Sequence, residues 1–87
     1  MKPSITSGAL EDLEAWSTTS PKVLSRIIRL IAETTRKPRT GTGKPERLTQ
    51  LGGEVWSRRI TEKARLVYNI KQDAIIIIAC RFHYDDH

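Results

Sequence analysis

The sequence predicts an α+β fold: two N-terminal helices packed on one face of a twisted, mainly antiparallel sheet. Three observations carry this. Apolar residues recur at helical spacing up to Thr35, a Pro/Gly-rich stretch follows at 36–46, and from Val55 onward the chain runs in short β-branched and aromatic segments. Helices first and strands afterwards read as segregated layers rather than alternating βαβ units. At 87 residues the chain is expected to be a single domain, 1–87.

The elements follow in order. Residues 2–6 are a short candidate strand. Residues 8–17 place Ala9, Leu10, Leu13 and Trp16 on one helical face, with Ser7 as the expected N-cap and Glu11 and Asp12 near the positive helix end. Ser20-Pro21 starts a second helix, because proline at the first helical position gives up an N–H that has no partner anyway. Val23, Leu24, Ile27, Ile28, Leu30 and Ile31 form its apolar side, while Lys22, Arg26, Arg29 and Glu33 are expected to face outward. Pro38 disfavours helix at Lys37, so the helix should end near Thr35. Val55–Ile60, Arg65–Ile70 and Ala74–Phe82 are the main strands. The tight Lys71-Gln72-Asp73 connection implies an antiparallel meander, and the isoleucine run in the last strand suggests a central strand covered on both faces.

The net charge of +5 is unevenly placed. From Arg36 to Arg65 nine Lys or Arg residues stand against three acids, a local +6. Such a zone attracts a polyanion, nucleic acid first and an anionic membrane surface second. The single cysteine, Cys80, excludes an internal disulfide or a cysteine metal cluster and suits a reducing cytoplasm. It follows an isoleucine run and reads as a buried thiol. Met1-Lys2-Pro3-Ser4-Ile5 lacks the apolar run of a signal peptide, and 75–80 is far shorter than the roughly 20 residues of a membrane span. The expected location is the cytoplasm, with no membrane partner.

Strand alternation puts Arg65, Val67 and Asn69 on one face and Leu66, Tyr68 and Ile70 on the other. In the last segment Arg81 and His83 share a face. RNA cleavage without a metal needs a base for the ribose 2′-hydroxyl, a cation for the crowded phosphate and an acid for the leaving 5′-oxygen. Glu46, Arg65 and His83 supply those types, and Tyr84 offers a ring or a hydroxyl to the substrate. Arg58 and Arg59 are expected to contact RNA phosphates. Trp16 and Trp56 read as packing residues rather than base platforms. Gly41-Thr42-Gly43-Lys44 fails as a nucleotide phosphate loop because Pro38 and Pro45 occupy required positions. No cofactor or metal site is expected, since the His83–His87 tail fits no recognised ligand spacing. Two readings stand: a ribonuclease, and a non-catalytic basic nucleic-acid-binding or repressor module.

Four collinear blocks go further: Gly41-Thr42-Gly43-Lys44-Pro45-Glu46, Trp56-Ser57-Arg58-Arg59-Ile60-Thr61-Glu62, Arg65-Leu66-Val67-Tyr68 and Ala79-Cys80-Arg81-Phe82-His83-Tyr84. With that spacing the chain closely resembles the YoeB-type toxins of the RelE superfamily. The resemblance implies a microbial-ribonuclease-like fold and ribosome-dependent cleavage of messenger RNA in the A site, leaving a 2′,3′-cyclic phosphate. It further implies a cognate antitoxin of the YefM or Axe type, a possible homodimer, and operator DNA contacted only through the antitoxin complex. By position, Glu46 matches the general base, Arg65 the phosphate-stabilising arginine, His83 the general acid and Tyr84 the substrate-orienting tyrosine, while Lys44, Arg58 and Arg59 sit in matching basic blocks that are expected to contact RNA or the ribosome. The sequence departs at Arg47, where relatives often carry proline, at Thr49, where they carry lysine, and in the Asp85-Asp86-His87 tail.

Overall fold

A computed structural model describes residues 1–81. Its elements run β1 (Lys2–Ile5), α1 (Ser7–Thr19), α2 (Pro21–Arg36), β2 (Glu46–Arg47), a 3-10 turn (Thr49–Leu51), β3 (Val55–Arg59), β4 (Arg65–Lys71) and β5 (Ala74–Ala79). The five strands form one sheet in the order β1-β5-β4-β3-β2. The meander β3-β4-β5 is antiparallel as expected, and β1 closes the far edge parallel to β5. Both helices pack on one face, so the α+β layering holds.

Helix starts follow side-chain capping. The Ser20 hydroxyl accepts the Val23 N–H with Pro21 in the first turn, as the sequence implies. For α1 the expectation was one residue out: Thr6, not Ser7, is the N-cap, its hydroxyl accepting from the Ala9 N–H. That hydroxyl also donates to the Ile78 carbonyl, tying the helix start to β5.

Ala9, Ile27, Leu30, Ile31, Leu66, Tyr68, Ile70, Ile75, Ile77 and Cys80 form the core between helices and sheet. Each fully buried aliphatic side chain there contributes roughly 1.5–3 kcal/mol. Leu10 and Ile28, expected on the apolar helix faces, are about half exposed. The isoleucine run differs from its expected role in two ways. β5 is next to the edge, with β4 in the middle of the sheet, and only Ile75 and Ile77 point to the helices while Ile78 is 38% exposed. A bulge causes part of this: Val67 pairs with Ala79 and Tyr68 with Ile77, leaving Ile78 as the additional residue. The strand ends at Ala79 rather than running on to Phe82, which lies outside the described residues.

Candidate active site

The sheet face turned away from the helices carries Glu46, Arg59 and Arg65. Glu46 sits on β2, a two-residue strand at the end of the 36–46 stretch for which Pro38, Gly41, Gly43 and Pro45 predict loop. The register runs Glu46 to Ser57, then Val67, then Ala79 across four strands, so these residues share one row. Arg59 and Arg65 face each other in the neighbouring row, two residues along β3 and β4. Strands lie about 4.8 Å apart and rise about 3.3 Å per residue, which puts the Glu46 and Arg65 Cα atoms about 12 Å apart.

Leu48, Val55 and Val67, with Ala79 against them, make a small apolar floor on this same face. The site is therefore an apolar strip with a carboxylate at one edge and guanidinium groups along the adjoining row. Arg65 is partly buried, and its Nη1 donates to the carbonyls of Thr61, Glu62 and Ala64 at 2.8, 3.0 and 3.0 Å. Among the described residues those are its hydrogen-bond partners, so the turn fixes one corner of the guanidinium and its other nitrogens are available to an anion. Arg59 is exposed, and its N–H donates to the Gly43 carbonyl at 2.7 Å.

That bond needs glycine. Gly43 has φ 88°, and a Cβ there would lie 2.9 Å from the Arg59 carbonyl oxygen. Lys44 follows with φ 51°, a left-handed conformation that costs a non-glycine residue about 1 kcal/mol or more. The lysine is exposed beside the Arg59 row.

Arg58 corrects the sequence reading. Expected to contact RNA, it is 0% exposed and lies on the helix side of β3. Its Nε donates to the Tyr68 hydroxyl at 3.2 Å, Nη1 to the Thr42 carbonyl at 3.1 Å, and Nη2 to the Thr40 and Lys37 carbonyls. Glu33 Oε2 lies 3.5 Å from Nη1 and accepts the Thr42 N–H at 2.7 Å. Glu33 thus turns toward the 40–43 loop rather than outward. The Thr42 N–H holds its carboxyl below the usual carboxylate range, with Arg58 and Lys37 adding to the effect against some desolvation. Tyr68 donates to the Pro38 carbonyl at 2.6 Å, and burial raises its pKa despite the nearby guanidinium. Arg58 therefore fixes the 37–42 loop that leads into Lys44 and Glu46.

A second anchor lies at the end of β5. The Trp16 indole N–H donates to the Cys80 carbonyl at 2.8 Å, and Asp12 Oδ2 accepts the Cys80 N–H at 3.0 Å. Both bonds hold the backbone three residues before His83. Arg81 is exposed just past the strand. His83 and Tyr84 lie outside the described residues. Trp16 and Trp56 pack against the core, as expected, and the Trp56 indole donates to Glu54.

Comparison with known proteins decides the family. Residues 5–84 match the sequence model of the "YoeB-like toxin of bacterial type II toxin-antitoxin system" family. The chain belongs to this toxin family. It is 45% identical over 74 residues to Toxin YoeB of Escherichia coli K12, covering 85% of this chain and 88% of the relative. A YoeB/ParE toxin structure from Agrobacterium tumefaciens superposes with TM-score 0.90 at 38% identity, covering 97% and 100% of the two chains. A YoeB–YefM complex from Staphylococcus aureus contains a chain with TM-score 0.82 at 32% identity, covering 97% and 98%. The protein is thus a type II toxin of the YoeB kind, and its two-helix, five-strand architecture is that of its relatives.

Proposed function

We propose that this toxin is a ribosome-dependent endoribonuclease that cleaves messenger RNA and so stops translation. The observation that carries the reading is that Glu46, Arg59 and Arg65 occupy adjoining rows on one face of the sheet beside an apolar floor. A carboxylate amid cations serves a pure phosphate binder poorly, since it repels the ligand. It serves a nuclease well, as the acceptor of a proton.

In this mechanism Glu46 takes the proton of the ribose 2′-hydroxyl while that oxygen attacks the adjacent phosphorus. Arg65, with one corner pinned by the 61–64 turn, stabilises the extra negative charge of the crowded phosphate. The P–O5′ bond breaks, leaving a 2′,3′-cyclic phosphate and a 5′-oxygen that takes its proton from His83, the residue matching the family's general acid. Tyr84 orients the substrate, and Lys44 and Arg59 contact flanking phosphates. The attacking group is the substrate's own hydroxyl, so the scheme draws on no metal.

The toxin works in the cytoplasm and is neutralised by an antitoxin of the YefM type, by analogy with the S. aureus relative seen with YefM. Among the described residues no helix is long and apolar enough to cross a membrane. The test is primer extension on translating ribosomes with the parent protein and with Arg65→Ala. The parent produces discrete stops within the coding sequence. The variant still binds ribosomes and produces none. Equal cutting by both sinks the catalytic assignment of Arg65.

A further inference from the structure

The outer side of α2 carries a second cationic surface that the mechanism above does not use. Lys22, Arg26, Arg29 and Arg36 recur at helical spacing on the side opposite the core residues Ile27, Leu30, Ile31 and Thr34, and all four are exposed. At 1.5 Å rise per residue they span about 21 Å, close to one cation per helical turn. Among the described residues none of the four makes an ion pair. The stripe holds one acid, Glu33, and that carboxylate is turned onto the Thr42 N–H and Arg58. Beside the stripe, Arg26, Arg29, Leu30, Glu33 and Thr42 line an open cleft of about 350 Å³ between α2 and the 40–43 loop. One wall of that cleft is ordered, because Arg26 Nη1 donates to the Ile60 carbonyl at 2.9 Å.

Exposed cations at regular spacing on a rigid helix, two of them at the mouth of an open cleft, are complementary to a phosphate backbone. Their position limits which RNA they can hold. α2 lies on the helix face of the sheet and Glu46, Arg59 and Arg65 on the other, in a molecule whose principal extents are 33 × 28 × 24 Å. A strand threaded over the sheet face does not also run along α2. We propose that Lys22, Arg26, Arg29 and Arg36 form a second RNA-binding surface that grips the sugar-phosphate backbone of duplex RNA while the sheet face engages a separate single strand. From the preceding section the proposal borrows only the choice of RNA as the polyanion.

The test uses the full chain carrying Glu46→Gln and a fluorescently labelled, fully paired RNA duplex, with affinity followed by anisotropy across a salt series. Lys22→Gln/Arg29→Gln/Arg36→Gln is compared with Lys2→Gln/Lys63→Gln/Lys71→Gln, which removes the same charge elsewhere. Arg26 is left in place because of its bond to Ile60. The α2 variant should lower the slope of log K against log salt by about 2–3 and weaken low-salt binding at least about tenfold, while the control stays near the parent. Equal losses in both variants mean net charge alone acts, and overturn the proposal. So does undiminished duplex binding by an α2 variant that has lost affinity for an acidic antitoxin segment, which would make the stripe a protein interface. Neither result bears on whether the sheet face cleaves, which is read separately from primer extension.

Discussion

Replacing Arg58 by alanine is a sharp test of how this fold holds its loop. The substitution removes a fully buried guanidinium and strands its acceptors: the Tyr68 hydroxyl, the Lys37, Thr40 and Thr42 carbonyls and the Glu33 carboxylate. A buried acceptor left without a donor costs about 1–3 kcal/mol. The loop carbonyls recover part of that by turning to water, so the sum does not reach five full penalties. Breaking one side of a buried, hydrogen-bonded charge network costs about 3–5 kcal/mol. Folds of this size hold roughly 4–13 kcal/mol in total, so the loss is a large part of the reserve. In thermal unfolding by circular dichroism it corresponds to a drop of at least about 12 °C. Arg58→Lys should recover less than half, because a lysine ammonium has three donors and no planar fork. An exposed RNA-contacting arginine predicts the reverse: an unchanged melting temperature and a weaker salt-dependent affinity. A fall of less than about 4 °C in Arg58→Ala refutes the structural account of this residue.

Three further outcomes follow. Trp16→Phe keeps the ring against the core but loses the bond to the Cys80 carbonyl; it should cost about 0.5–1.5 kcal/mol in urea titration and reduce cleavage more than ribosome binding, and unchanged cleavage argues against a role in placing the His83 segment. Glu33 has its pKa lowered in the fold, chiefly by the Thr42 N–H, so its contribution is present above the ordinary value of 4.5 and lost as pH falls through the depressed one; the gap in melting temperature between the parent and Glu33→Gln should therefore shrink below pH 4.5, and a constant gap contradicts this. Burial, with Asp12 nearby, pushes the Cys80 thiol up to about 12 from 9.0, so stability falls as pH rises above 9, and at pH 8 a disulfide reagent should react with the native protein on the order of a thousandfold more slowly than with the unfolded chain; comparable rates would show that the thiol is accessible.

Much of the fold was legible because periodicity reports which face is buried. α2 declared itself through Ser20-Pro21 and its apolar spacing, and alternation on β4 separated Arg65 from Tyr68 correctly. The same alternation applied to β3 puts Arg58 with Trp56 on the helix side and Arg59 with Ser57 on the other. Reading Arg58 and Arg59 together as one exposed basic pair overlooked it. Other features had no local signal. β2 is two residues long and exists only because β3 offers an edge, and the bulge that turns Ile78 out depends on pairing with β4. The Asp12 and Trp16 bonds to Cys80 join residues more than sixty positions apart. For the site, Glu46 and Arg65 could be named from the sequence, but their shared face follows only from the Glu46–Ser57–Val67 register.

The central claim is that Glu46 acts as a base rather than a structural carboxylate. Among the described residues it is an exposed side chain on a two-residue edge strand, so Glu46→Gln should leave the unfolding free energy within about 0.5 kcal/mol of the parent. The most direct measurement is single-turnover cleavage of a defined messenger on programmed ribosomes by the parent and by Glu46→Gln, with ribosome occupancy measured in the same samples. The account predicts equal occupancy and a rate reduced by about 10²–10⁴ in the variant. Cleavage at the parental rate with full occupancy contradicts it.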